Sequence, residues 1–308
     1  MFFLKKIFSF SPYTEIIFRR FYYFLKDVGI VSTKTRVVKK CDDKKLDFLV
    51  LKKYISSLGI KEGDILIVHS SYAQLSKFEV NPIGIINFLR ELIGDEGTLV
   101  FPAFYIKKED PDKQEINIDL NKKVCSTGML PAVFLRMKGV LRSPFPENSL
   151  AAQGPRAEAM FEQNLDTDLA HGIGSAWHFC AENDAKILLL GTEAAKTLTM
   201  VHVAEDVLDD RWPIMDWYEK KFFNLNYPDD TKQKVVRVRR QYWSRFMASE
   251  FRTRWLKSNN LVSENIVEGV NVAYVHSSKS LVETLINNMN SRKVYFFRPP
   301  TKYWRHRN

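Results

Sequence analysis

The residues best suited to chemistry lie near the middle of the chain, directly after an apolar segment. His202 and Glu205 are three positions apart, so a helix would carry both side chains on one face. An imidazole exchanges protons near neutral pH, and a neighbouring carboxylate fixes its tautomer and raises its basicity. The pair therefore predicts a general base, although the same spacing on a surface helix gives an incidental ion pair.

The segment before this pair predicts where it would lie. Residues 187–190 are entirely apolar and end at Gly191, which is typical of a buried strand followed by a turn. In an open α/β sheet, ligands bind outside the carboxyl ends of the strands. We therefore expect the helix that carries His202 to begin beside a ligand-binding edge.

Two further apolar runs, at residues 65–68 and 98–101, predict buried strands, and segments with helical spacing separate the three runs. This order of elements predicts an α/β fold with a mostly parallel central sheet flanked by helices. The last third of the chain has a different texture, with a predicted hairpin at 217–243, mainly helical sequence at 246–290 and a last strand at 294–297. We expect residues 211–308 to form a smaller C-terminal α+β subdomain.

The net charge of +10 is concentrated at the two ends of the chain. Residues 1–40 hold nine Lys or Arg against two acidic residues, and residues 292–308 hold six and no acid. The body is slightly acidic, so we expect no nucleic-acid partner. Residues 1–44 form a basic, aromatic N-terminal extension to a domain at 45–308. Residues 1–40 predict either peripheral contact with an anionic membrane or a helix docked on this domain or on the second subunit of a homodimer.

The three cysteines are far apart and include no CxxC pair, so the sequence predicts no zinc-ribbon site and no other metal site. A sparse, odd number of cysteines is typical of a reducing compartment. No apolar run is long enough to span a membrane, and the N-terminus lacks the pattern of a signal peptide. We therefore expect a cytoplasmic protein, with the inner face of the membrane as a candidate peripheral location.

Several polar segments could hold a ligand or serve only the fold. Ser70 and Ser71 end the first apolar run, where hydroxyls and free N–H groups can bind an oxygen atom or cap a turn. The alternating segment 235–243 contains Arg239 and Arg240, which suit phosphate or carboxylate groups or guard an edge strand. A loop that starts at Arg142 and contains two prolines is stiff enough to line a pocket.

Six blocks of the sequence together resemble the aminoglycoside 3-N-acetyltransferase family, also called the antibiotic N-acetyltransferases. They follow the order and approximate spacing of the family between residues 45 and 215. The blocks are 63–71, 97–104, 127–131, 142–155, 171–175 and 186–205.

The resemblance implies that 45–308 is an acyltransferase domain in which an amine of an amino sugar attacks acetyl-CoA directly, in a ternary complex and without a metal. It implies that His202 is the general base. We select Glu205 as its acidic partner, with Asp216 and Asp230 as alternatives. The implied cofactor-binding residues are Ser70, Ser71, Thr98, Arg142 and Ser143. As substrate-binding residues we select His171, Arg239 and Arg240.

Two departures from the family pattern bear on the acceptor. Phe145 replaces a usual histidine, and the strand that normally carries the acidic partner contains arginines. Arg239 and Arg240 would repel a cationic drug if both faced the cleft. We therefore predict a divergent member that acetylates a nucleotide- or lipid-linked amino sugar in surface polysaccharide synthesis. The alternatives are an aminoglycoside 3-N-acetyltransferase that confers antibiotic resistance, and a catalytically degenerate scaffold of the same fold.

Overall fold

The computed structural model describes residues 10–31, 45–110, 115–290 and 296–305. Its helices α1 to α11 are Pro12–Asp27, Phe48–Ser56, Tyr72–Leu75, Pro82–Ile93, Met129–Phe134, Ala157–Phe161, Ala176–Glu182, Ala194–Thr197, Val201–Leu208, Ser249–Ser258 and Ser278–Asn290. Its strands β1 to β11 are Ile65–Ser70, Thr98–Pro102, Lys108–Asp110, Glu115–Asp119, Leu141–Arg142, Leu150–Gln153, Lys186–Leu190, Tyr218–Asn226, Thr231–Arg239, Ser263–Val267 and Val270–Val275. Three short 3₁₀ helices are Asp209–Arg211, Gln241–Phe246 and Thr301–Tyr303.

The larger sheet has seven strands in the order β10-β11-β7-β1-β2-β6-β5. Strand β1 pairs in parallel with β7 and β2, and every other pairing in this sheet is antiparallel. The α/β fold is confirmed, and parallel pairing is confined to the three central strands. Strands β10 and β11 are joined at Glu268 and Gly269, both with positive φ, and such a tight hairpin can connect only antiparallel strands.

The smaller sheet has the order β3-β4-β8-β9 and joins two distant parts of the chain. Strand β8 pairs in parallel with β4 and antiparallel with β9. Residues 211–308, expected to form a subdomain, therefore supply strands to both sheets. Helical structure was wrongly predicted for 263–275, where Val267, Val270 and Val272 mark a hairpin. Of the predicted strand at 294–297, the first two residues lie outside the described residues, and Phe297 makes only a single bridge to Met247.

Both faces of the larger sheet are covered, which explains its continuous apolar runs. Ile65 and Ile67 of β1 join a core cluster that includes α7, α9 and α11. Leu66 and Val68 point to the opposite face and pack against α2 and α4. Within the described residues, no helix is both long and apolar enough to cross a membrane.

Helix α9 positions the candidate site because it lies between the two sheets. Val201, Ala204 and Leu208 are buried in the core cluster beside the larger sheet. The other side of the helix carries polar residues that face β8 and β9 of the smaller sheet. The helix ends at Leu208, and the next residue, Asp209, has a φ of 42° in the left-handed region.

Helix α1 is held on the body of the protein by a buried carboxylate. Glu15 is only 2% exposed, and it accepts hydrogen bonds from the backbone N–H groups of Glu250 and Phe251. These groups start α10, whose own N-cap residue, Ala248, has no side-chain oxygen. Glu15 therefore caps a helix more than two hundred residues further along the chain. The rest of the predicted extension, residues 1–9 and 32–44, lies outside the described residues.

Candidate active site

The predicted pair on α9 is formed in the structure. The Nδ1 atom of His202 lies 3.1 Å from Oε2 of Glu205, whose side chain is 3% exposed, whereas that of His202 is 23% exposed. With Nδ1 donating to the carboxylate, the other ring nitrogen, Nε2, carries the lone pair. No described residue hydrogen-bonds this atom. His202 therefore presents a nitrogen that is able to accept a proton.

Burial and neighbouring charges fix the ionisation of this pair. Burial lowers the pKa of His202; Glu205 opposes this effect and Arg239 adds to it, so the pKa stays below its usual range. Burial would raise the pKa of Glu205, but His202, Arg239 and Arg252 outweigh burial and lower it to about 2. The Nη1 atom of Arg239 lies 3.6 Å from Oε2 of Glu205. A neutral imidazole beside an ionised carboxylate is the form that a general base requires.

A second histidine–carboxylate pair lies next to the first. Nδ1 of His171 is 3.0 Å from Oδ2 of Asp206, which also accepts the backbone N–H of His171. The hydroxyl of Tyr218 donates to the other oxygen of Asp206 at 2.9 Å. The Nε2 atom of His171 lies 3.2 Å from Nδ2 of Asn148, so both ring nitrogens of His171 have partners in the protein.

Four rings form a row from β1 to α9. The ring centroids of His69 and Trp177 are 6.0 Å apart, those of Trp177 and His171 are 5.9 Å apart, and those of His171 and His202 are 5.5 Å apart. Burial lowers the pKa of His69 to about 4, and its Nε2 atom is buried without a hydrogen-bond partner. The row connects the carboxyl end of β1 to the His202 pair.

The two pairs face a common cavity of about 230 Å³ between α9 and β9. Acidic and basic side chains both line it. The lining residues are Glu147, Asn148, Ala170, His171, His202, Glu205, Asp206, Lys221, Arg237, Val238 and Arg239. In the parts of the chain that the structure describes, no group of three His, Cys, Asp or Glu side chains could hold a metal ion.

Three arginines of the segment 235–243 have different environments, and two of them, Arg239 and Arg240, are predicted site residues. Arg239 lines the cavity, as does Arg237. Arg237 is bound on both sides, at 2.7 Å to Asp168 and at 2.6 Å to Asp209, so its charge is offset. Arg240 follows the end of β9, is exposed, and donates to a backbone carbonyl. It does not line the cavity, because the strand ends at residue 239 and the next residues turn into a 3₁₀ helix.

The predicted cofactor-binding residues Ser70 and Thr98 lie at opposite edges of the larger sheet, because one ends β1 and the other starts the parallel strand β2. Ser70 ends β1, and its Oγ atom is buried without a hydrogen-bond partner. Ser71 precedes α3 but makes no side-chain cap, so its hydroxyl is not used by the turn. Thr98 starts β2, is fully buried, and accepts the N–H of Arg156. The amino end of a strand is the wrong edge for a ligand, so the structure does not support a cofactor contact for Thr98.

The Arg142 loop is braced from within. The guanidinium of Arg142 donates to the backbone carbonyls of Ala103 and Val124, each at 3.0 Å. Ser143 is 1% exposed, and its hydroxyl donates to Oδ1 of Asn164 at 2.8 Å. Both side chains therefore hold the loop in place, and any contact with a cofactor stays a prediction.

Sequence reasoning missed three residues of the site. Asp206 is four positions after His202, so helical spacing could have predicted that both side chains lie on one face of the helix. Asn148 and Tyr218 reach the site from a loop and from β8, and no spacing in the sequence relates them to α9. The alternative acidic partners, Asp216 and Asp230, are exposed and do not line the cavity.

Comparisons with known proteins identify a family that this chain resembles. A family model described as aminoglycoside 3-N-acetyltransferase matches residues 67–290. Aminoglycoside N(3)-acetyltransferase IV from Salmonella sp is 28% identical over 251 residues, which cover 79% of this chain and 87% of the relative.

Solved structures show the same fold at lower identity. A variant of aminoglycoside acetyltransferase AAC(3)-IVa, with one histidine replaced by alanine and gentamicin bound, matches with a TM-score of 0.67 and 24% identity. That match covers 86% of this chain and 96% of the other. AAC-IIIb in a binary complex with CoASH matches with a TM-score of 0.68 and 19% identity, covering 83% of this chain and 99% of the other.

Proposed function

Because the chain belongs to the aminoglycoside 3-N-acetyltransferase family, we propose that it transfers the acetyl group of acetyl-CoA to an amine of an aminoglycoside. The observation that carries this proposal is the His202–Glu205 pair, with its free Nε2 atom beside a cavity. A solved structure of the same fold holds CoASH, the thiol that acetyl transfer from acetyl-CoA would release. The acceptor class follows from the relatives and from the AAC(3)-IVa complexes with gentamicin and apramycin.

The reaction requires a neutral amine, and His202 is arranged to produce one. Nε2 of His202 takes a proton from the acceptor ammonium, or from the amine as it attacks. The amine nitrogen forms a bond to the thioester carbon, and the C–S bond then breaks to leave CoA as a thiolate, which takes up a proton. When Nε2 takes this proton, the His202 ring becomes an imidazolium, which the carboxylate of Glu205 stabilises. Holding both substrates in one cleft removes the entropy cost of a bimolecular encounter.

Acidic and basic side chains line the cavity in equal number, so its charges do not single out a phosphorylated acceptor. Three carboxylates line it, those of Glu147, Glu205 and Asp206. Of the lining cations, Arg237 is paired with two aspartates and Lys221 lies 3.8 Å from Glu219. Glu147 is in turn paired with Lys107. The arginine strand that motivated a phosphorylated acceptor therefore contributes only Arg239, which is itself beside Glu205.

The donor is best placed at the carboxyl end of β1. Ser70 Oγ and His69 Nε2 are buried there without partners, and buried polar groups are normally hydrogen-bonded. The amide and carbonyl groups of a pantetheine arm would satisfy them. Ser71 adds an uncommitted hydroxyl at the same turn. The row of rings from His69 to His202 leads from this edge to the proposed base.

The test is a direct transfer assay on the purified protein. Acetyl-CoA is incubated with gentamicin, apramycin or a nucleotide-linked amino sugar, and thiol release and product mass are measured. We expect the mass of one acetyl group to be added to an aminoglycoside, and this transfer to be lost in His202→Ala. Turnover of the nucleotide-linked sugar alone would favour the surface-sugar acceptor. Binding of acetyl-CoA without transfer to any amine would favour a degenerate scaffold.

A further inference from the structure

Helix α1 exposes the kind of side chain that a surface helix normally buries. Nine of the 21 exposed large apolar side chains among the described residues lie between residues 10 and 30. A peripheral helix ordinarily turns its apolar stripe inward and its charges outward. On α1 the outward residues are Tyr13, Ile17, Phe18, Phe21, Tyr22 and Phe24, with exposures from 43% to 67%.

The inward side of the same helix carries charge and holds the helix in this orientation. Glu15 accepts two N–H groups at the start of α10 and is paired with Arg19 at 3.1 Å. Arg19 also donates to the hydroxyl of Ser249. Rotating α1 to bury its rings would break all of these contacts. The outward apolar face is therefore imposed by the packing of the helix.

Arginines lie over aromatic rings on and beside α1. The guanidinium of Arg20 lies 5.6 Å from the ring centroid of Phe246, and that of Arg254 lies 4.3 Å from the ring of Phe10. That of Arg298, from the last described segment, lies 5.2 Å from the ring of Tyr13. Arginine and aromatic side chains together are typical of surfaces at a boundary between an apolar phase and water.

The rings continue onto the neighbouring 3₁₀ helix, Gln241–Phe246. Ile17, Phe21 and Phe24 form one wall of a groove of about 460 Å³, and Tyr242 and Phe246 form the other. The groove and the outward residues of α1 together make one surface, which we call the aromatic face.

We propose that the aromatic face is a docking surface for a lipid bilayer that contains anionic lipids. The rings would enter the boundary between headgroups and acyl chains, and the arginines would contact lipid phosphates. A second copy of the chain fits less well. Two-fold symmetry would bring the same surface of both copies together, so the interface would collect the arginines of both. Anionic lipid supplies the opposite charge instead.

Vesicle sedimentation with the full chain tests this proposal. We expect binding to vesicles of phosphatidylcholine mixed with phosphatidylglycerol, little binding to phosphatidylcholine alone, and weaker binding in high salt. Phe21→Ser with Phe24→Ser should weaken binding about tenfold or more, since two rings no longer leave water. Arg20→Gln should weaken it about fivefold. These side chains are exposed, and circular dichroism should show unchanged folding.

Matched substitutions elsewhere serve as controls. Ile266 is 63% exposed on an edge strand, and Ile266→Ser should leave vesicle binding unchanged. Arg90 is also exposed, and Arg90→Gln, which removes one positive charge elsewhere, should leave vesicle binding unchanged. Equal binding to neutral and anionic vesicles, or no binding to either, would overturn the proposal. So would a dimer in analytical ultracentrifugation that the Phe21/Phe24 variant converts to a monomer, because the face would then be an interface between copies.

Discussion

Replacing Glu205 by glutamine should move the pH dependence of catalysis as well as lower its rate. The carboxylate lies 3.1 Å from Nδ1 of His202 and carries a full charge, since its pKa is lowered to about 2. A hydrogen bond to a charged group contributes about 1.5–3 kcal/mol. Glutamine still offers a carbonyl oxygen to Nδ1 but carries no charge, so losing the charged part of this bond in the transition state lowers kcat/KM by about tenfold. The complete loss of the base in His202→Ala should cost about 10²–10⁴-fold.

The direction of the pH shift follows from the charges. His202 accepts a proton only when neutral, so activity falls as the pH falls through the pKa of its ring. Glu205 raises that pKa and Arg239 lowers it. Glu205→Gln should therefore move the acid limb of kcat/KM to lower pH, and Arg239→Gln should move it to higher pH. Opposite shifts from two neighbours of one ring are hard to obtain from a general loss of structure.

The assay is thiol release from acetyl-CoA with a saturating aminoglycoside, followed from weakly acidic to neutral pH. The neighbouring pair provides the decisive comparison, because Asp206 lies on the same helix but contacts His171. An acid limb that stays in place in Glu205→Gln and moves in Asp206→Asn would refute the assignment of the base to His202.

Three further substitutions test the fold around the site. Glu15→Ala should lower the free energy of unfolding by about 1–2 kcal/mol in urea titrations, because two N–H groups lose their cap; Glu15→Gln should recover part of it. Burial lowers the pKa of His69 from 6.5 to about 4, so the unfolded chain alone binds a proton between these values. Stability should thus fall by about 3 kcal/mol as the pH drops from 6.5 to 4, and a urea series on His69→Gln should lack this slope. Arg237→Met should lower the melting temperature while leaving KM for a cationic acceptor no higher, since the two aspartates that it binds already offset its charge.

The elements that the sequence predicts well are those with a single dominant signal. The apolar runs at 65–68, 98–101 and 187–190 became the three central parallel strands, because burial on both faces leaves an unbroken apolar pattern. The His202–Glu205 contact followed from helical spacing alone. The family was also predicted from sequence blocks, and it is confirmed.

The elements that it missed depend on contacts between distant parts of the chain. The pairing of β4 with β8 brings residue 115 beside residue 222, and nothing local to either segment specifies that partner. The partner of His171 is Asp206, thirty-five residues away, which only the packing of α9 against the smaller sheet brings near. The limit of β9 was misplaced because Arg240 and Tyr242 continue the strand alternation into a 3₁₀ helix.

The long-range cap on α10 has an evolutionary consequence. Since Glu15 satisfies the first N–H groups of that helix, position 248 is free to hold an alanine that is completely buried. A homologue without a counterpart of α1 would have to cap these N–H groups with a residue of its own helix. We expect such proteins to have Ser, Thr, Asp or Asn at that position. Homologues should therefore have either a counterpart of α1 or a capping side chain at position 248.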